Sequence, residues 1–221
     1  MSEVAMSDPV TVHVSRGSRM YTYLWTVQVG WAMHHEAMER IFGFAREKPT
    51  DGTTKTGLFT RQSKKMVFIP KTGVFEVAAS GNWPEEIWYY TRDGVEHPTP
   101  NSPIPGEISL GTGEPLWVIM NATFALYVER CNDWLRKKNT NYQNWPPVSN
   151  FCRVIRNAIV HGGKINIENP NAPKVSWLGL SYDYTNLGRN IFDDLADGDF
   201  IILAKALDDE MTALGAPDQL P

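Results

Sequence analysis

FCRVIRNAIVHGG, residues 151–163, combines a helical apolar repeat with a cluster of polar side chains and a double-glycine end. Phe151, Val154, Ile155, Ala158 and Ile159 recur at spacings of three and four. On a helix advancing 100° per residue they make one apolar stripe. Ser149 or Asn150 is a natural N-cap, and Gly162-Gly163 supply a stop. The opposite side carries Arg153, Asn157 and His161 four residues apart, with Arg156 nearby. Val160 falls in the middle of this polar side, where solvent alone gives no reason for a branched apolar residue. The pattern predicts a helix whose far side meets a second surface: another helix of the chain, or the same helix of a partner subunit.

Outward from this helix the chain reads as mostly helical. Residues 22–48 form a long amphipathic segment in which Trp25, Val29, Met33, Ala37, Ile41 and Phe44 hold one face. Residues 116–138 form a second, with Leu116, Ile119, Met120, Phe124, Tyr127, Val128 and Leu135 as its apolar side. Arg136-Lys137-Lys138 suit the negative end of that helix. A last helix follows Asp197 or Asp199 as cap and buries Phe200, Leu203, Ala204 and Leu207. Between the first two helices, residues 49–60 read as a turn region, and MVFIP, GVFEVAAS and EEIWYYTRDG read as short strands. Residues 96–115 contain five prolines, which exclude a continuous helix or a central strand. The stretch from 164 to 184 reads as a hairpin turning at its Asn-Pro-Asn-Ala-Pro centre. The expected fold is mainly α: one domain, a helical bundle with a β/loop insertion over 50–115 and a short β hairpin before the final helix.

Composition bounds the function. The 221 residues are 42% hydrophobic with a formal net charge of -4, so no global electrostatic pull toward nucleic acid exists. The charge is uneven. Positions 129–168 hold seven Lys or Arg against three acids, whereas positions 183–218 hold nine acids against two basic residues. An anionic ligand is expected to prefer the middle of the chain. Cys131 and Cys152 have no metal-ligand spacing and read as reduced core thiols. The acidic start MSEVAMSDPV has no positive n-region, and no apolar run approaches about 18 residues. A cytoplasmic protein with no membrane partner is expected.

Other candidate sites are weaker. His34-His35-Glu36 is not HExxH, and adjacent histidines point about 100° apart on a helix. Gly106, Gly111 and Gly113 form neither a dinucleotide fingerprint nor a P-loop. Trp83, Trp88, Tyr89 and Tyr90 read either as a base-stacking surface or as packing of the β insertion, the latter being preferred. Asp193, Asp194, Asp197 and Asp199 lack the spacing of a calcium loop and read as helix caps and solvated surface. No cofactor or metal is expected.

The segment RNAIVH resembles the R-x4-H motif of HEPN domains, with Arg156 as the motif arginine, Asn157 as the polar residue after it and His161 as the motif histidine. The order of elements over 116–214 is also similar: a helix ending in the motif, a glycine exit, a short β segment and a final helix. Many HEPN proteins are metal-independent RNA endonucleases, toxins or antiviral effectors, in which two motif helices pair across one composite cleft; others are non-catalytic binding modules. The resemblance implies catalysis by Arg156, Asn157 and His161 on RNA, and a homodimer through the 150–162 helix. An antitoxin or another regulatory protein is a further possible partner. Arg153 and Lys164 are candidate phosphate contacts. The chemistry suits the residue types. A guanidinium can hold two phosphate oxygens in a fixed fork, and an imidazole exchanges protons near neutrality. Arg156 and His161 lie about 140° apart on an ideal helix, so one subunit does not easily place both on one phosphate. Some antitoxin-linked members carry a tyrosine two residues beyond the histidine; here that position is Gly163.

Overall fold

The computed structural model describes residues 9–42, 55–70, 73–93 and 113–220. β1 (Val10–Ser15) leads into α1 (Tyr21–Phe42), and β2 (Lys55–Phe59), β3 (Lys65–Pro70), α2 (Val74–Ala79) and β4 (Glu86–Asp93) follow. Then come α3 (Gly113–Lys138), α4 (Pro147–Val160), the strand pair β5 (Val175–Trp177) and β6 (Leu180–Tyr182), and α5 (Asp197–Ala213). The first four strands form one antiparallel sheet in the order β1-β4-β3-β2. The protein is therefore mixed α/β, which corrects the expected mainly α bundle.

Strand alternation explains the correction. Val14, Leu58, Val67, Ile69, Ile87 and Tyr89 point to one face and are buried there. They join the same hydrophobic cluster as Leu24 of α1, Phe124 of α3 and Ile201 of α5. A sheet with one buried face needs helices to cover it. α1 packs on β4, and α5 on β2 and β3. α3 lies against α1, and α4 against α3 and α5. The strands at 55–93 thus form a wall of the core. The proline-rich residues 94–112 lie outside the described residues.

Several local expectations change. GVFEVAAS is the helix α2, entered through Gly73 at φ 78, although its β-branched residues suggest a strand. Residues 55–59, read as part of a turn, pair with β3. The late hairpin turns at Leu178-Gly179, φ 48 and 86, not at Asn-Pro-Asn-Ala-Pro. Two consecutive positive φ values match the twist of a tight hairpin. Of the face expected for α1, Trp25 is buried and Val29 packs against the core, but Met33 is exposed and Phe44 lies outside the described residues; the core face also takes in Leu24, Val27, Gln28 and Ala32. Gly30 has a packing reason: a Cβ there would lie 2.7 Å from the Leu116 side chain, at the crossing of α1 and α3. On α3, Ile119 faces outward. α4 starts at Pro147 without a side-chain cap of its own. Its free N–H groups at Val148 and Ser149 donate to the Glu210 carboxylate of α5 at 3.1 and 2.7 Å.

Two charged side chains fasten the layers. Arg19, 2% exposed, donates to Asp208 at 3.0 Å and to the carbonyls of Ala216 and Pro217 at 2.8 Å, tying the entry of α1 to the chain beyond α5. Asp199, 0% exposed, accepts from the backbone N–H groups of Arg61, Ser63, Ala196 and Gln62 at 2.6, 3.0, 3.0 and 3.2 Å. It holds the β2–β3 turn on the first turn of α5. Cys131 and Cys152 are buried free thiols, and burial pushes the Cys131 thiol up to about 12. No described helix is long and apolar enough to cross a membrane.

Candidate functional site at the end of helix α4

The stripe expected for α4 is the one that is buried. Phe151, Val154, Ile155 and Ala158 are in the core, together with Cys152. This fixes the direction of every polar side chain on the helix. Arg156 reaches across to α3, where its Nε stands 3.0 Å from Glu129 Oε2. Its Nη1 donates to Asn157 Oδ1 at 3.1 Å. The guanidinium is thus pinned on two sides, and the side chain remains 29% exposed. Glu129 has a second cation, Arg136, whose Nη1 donates to Oε1 at 3.0 Å and also to Asp133 at 2.6 Å. The hydrogen bond to Glu129, followed by the charges of both carboxylates, holds the Arg136 guanidinium above its ordinary range. The result is a surface row, Asp133–Arg136–Glu129–Arg156–Asn157, across the α3–α4 seam.

His161 ends the helix at φ -105 and ψ 31. Its N–H donates to the carbonyls of Ala158 and Asn157 at 3.0 and 3.2 Å. The ring is exposed and has no polar partner among the described residues. Gly162 and Gly163 follow at φ 68 and 84, and Gly163 N–H closes the helix on Ala158 O at 2.8 Å. This is the glycine stop expected from sequence. Gly163 has a second constraint: a Cβ there would lie 2.5 Å from the Phe192 ring. No side chain, tyrosine included, fits that position without moving the ring.

The remaining candidates separate. Arg153 lies over the Tyr142 ring at 4.1 Å and donates to Asn150 at 3.3 Å. Burial lowers its guanidinium from the ordinary value, partly opposed by Tyr142. It is a packed cation of the α3–α4 link. Lys164 is exposed beyond the glycines, where its backbone bridges Asn190. The structure therefore joins Arg156 with Asn157, places His161 one helical turn on, and directs Arg153 to a different neighbourhood. Glu129, the main partner of Arg156, was not expected: it lies on another helix with no spacing to reveal it.

Compared with known protein families, curated proteins and solved structures, the chain matches none.

Val160 is 56% exposed, so no described helix of the chain covers it. α4 turns back along α3 after the 139–146 link. Leu126, three residues before Glu129, is 55% exposed on that neighbouring helix. Each helix of the seam thus carries one large exposed apolar side chain about a turn along from its member of the Glu129–Arg156 pair. Of the aromatic residues weighed as a stacking surface, Tyr89 is core, while Trp83 stacks on Tyr21 at 6.1 Å. Trp88 and Tyr90 point to the outer sheet face, where Tyr90 stacks on Phe68 at 4.7 Å.

Proposed function

We propose that the chain is a HEPN-like, metal-independent endoribonuclease of the cytoplasm, working as a homodimer across the α4 helices. The observation that carries this reading is Arg156 fixed between Glu129 and Asn157, with the exposed His161 closing the same helix. Glu129 pairs with Nε and Asn157 accepts from Nη1, and Nη2, without a described partner, is the edge we assign to a phosphate oxygen. Arg156 neutralises the charge that builds on the phosphate. The 2′-oxygen attacks phosphorus, the bond to the 5′-oxygen breaks, and imidazole carries the proton from one oxygen toward the other. The products are a 2′,3′-cyclic phosphate and a 5′-hydroxyl. Exposed Val160 and Leu126 support a second copy of the seam as the missing cover.

The test uses purified protein, mixed RNAs and excess chelator. Wild type cleaves and leaves cyclic-phosphate ends, while Arg156→Ala and His161→Ala each lose about 10²-fold or more. Folded wild type that leaves all RNAs intact, or variants that cleave as well as wild type, would overturn the assignment.

A second reading has one specific observation in its favour. Glu129 already supplies a carboxylate to Arg156 at 3.0 Å, as in a structural ion pair. On that reading the chain is a non-catalytic module, and the α3–α4 seam docks a regulatory protein or RNA. Binding without cleavage in the same assay supports it.

A further inference from the structure

A cavity of about 570 Å³ opens between α1, β2, the start of α3 and the entry to α5. That volume lies in the range of about 300–1,000 Å³ typical of small-molecule sites. Its walls include four aromatic rings, Trp31, Phe59, Trp117 and Phe192, and two charged residues, Arg61 and Asp197. Phe192 meets Trp117 edge-on at 4.3 Å. The same Phe192 ring is the one that forbids a Cβ at Gly163. The cavity wall is therefore in contact with the glycine exit of α4, two residues past His161.

The two charges are differently engaged. The loop at Arg61 is anchored: its backbone N–H donates to Asp199 at 2.6 Å and its Nη1 to Asp193 O at 2.7 Å. Asp197 is the unusual member. Asp199 is saturated by four N–H groups, and Asp194 is held by Arg189 and Tyr182. The Asp197 carboxyl has no hydrogen-bond partner among the described residues, and burial raises it above the ordinary carboxylate range. The side chain is half-buried at the cavity wall, so a ligand entering the cavity meets an acceptor that no described protein donor uses.

Resting on the ribonuclease reading, we propose that this cavity binds one guanine base of the RNA strand, stacked among the aromatic rings with its Watson–Crick edge on Asp197 and its phosphate at Arg61. At a pH above its raised pKa the Asp197 carboxyl is ionised and only accepts hydrogen bonds. Guanine offers it two adjacent donors, N1–H and the N2 amino group. Adenine and cytosine place an acceptor beside their amino donor, and uracil flanks its single N–H with two carbonyls. Arg61 at the same cavity disfavours a simple organic cation, which the rings and the acid alone would suit. It favours a ligand carrying an anion. Base stacking on aromatic walls adds affinity for any base, so selectivity rests on the carboxylate.

The experiment titrates the full-length protein with guanosine, adenosine, cytidine and uridine 5′-monophosphates, reading tryptophan fluorescence and, independently, calorimetry. Guanosine monophosphate binds saturably and about tenfold tighter than the others, since one or two buried hydrogen bonds distinguish it. Asp197→Asn abolishes this preference, and Trp117→Ala weakens all four. Arg61→Gln, at an exposed loop, makes guanosine and its monophosphate bind alike; it serves as the second test should Asp197→Asn fail to fold. Arg156→Ala and His161→Ala bind guanosine monophosphate as wild type does. No saturable binding, equal binding of the four nucleotides, or a preference unchanged in folded Asp197→Asn overturns the proposal. Selective binding without RNA cleavage keeps the site and removes the ribonuclease reading. Cleavage without selective binding does the reverse.

Discussion

Asp199 and Arg156 are both charged, both helical and both bonded to a neighbouring element, yet their surroundings differ. The Asp199 carboxylate is fully buried and collects four backbone N–H donors from two segments. Arg156 is partly exposed, shares one carboxylate with Arg136 and is followed on the same helix by a histidine without a described partner. A saturated polar group has nothing left to offer a ligand, and removing it strands its donors. A half-used group costs little to remove from the fold and retains bonding capacity. Polar saturation thus separates what holds this molecule together from what it leaves available to a ligand.

That contrast can be broken by substitution. The largest effect is expected at His161: His161→Ala lowers RNA cleavage by about 10²–10⁴-fold, with a melting temperature near wild type because the ring is exposed. A loss of folding instead would make it a structural residue. Asp199→Ala is the opposite case. It strands four donors and is expected to cost about 3–5 kcal/mol of stability, read by urea unfolding, whereas Arg156→Ala costs less than about 1 kcal/mol. Equal costs would erase the distinction. Gly163→Ala sits between them. Its φ of 84 and the Phe192 contact put the cost at about 1–3 kcal/mol, together with altered quenching of Trp117. The smallest effect is on the seam itself: Val160→Ser changes monomer stability by within about 0.5 kcal/mol but shifts the subunit equilibrium toward monomer in analytical ultracentrifugation. An unchanged equilibrium would remove Val160 from the interface.

Much of α4 was legible because its signals are local. Phe151, Val154, Ile155 and Ala158 announce their own face, and Gly162-Gly163 announce the stop. The sheet was not, because its pairing is not local. KTGLF carries little pattern of its own, and its strand character comes from pairing with residues 66–70. Val74, Phe75 and Val77 have strand-like side chains but occupy a short helix, where packing against α1 overrides propensity. Proline and asparagine at 169–173 look more like a hairpin turn than Leu178-Gly179, since a left-handed leucine is uncommon. At the site, the arginine, asparagine and histidine shared one helix and could be seen together. Glu129 and the cavity around Asp197 could not, because their residues come from separate segments and no spacing connects them.

On the proposed function, one cleavage site uses α4 from two subunits. Mixing the inactive Arg156→Ala and His161→Ala proteins tests it directly, after brief co-refolding to exchange subunits. If the arginine of one subunit works with the histidine of the other, each mixed dimer regains one intact site, and RNA cleavage returns in the presence of chelator. A mixture as inactive as its components, with heterodimers shown to have formed, contradicts the account.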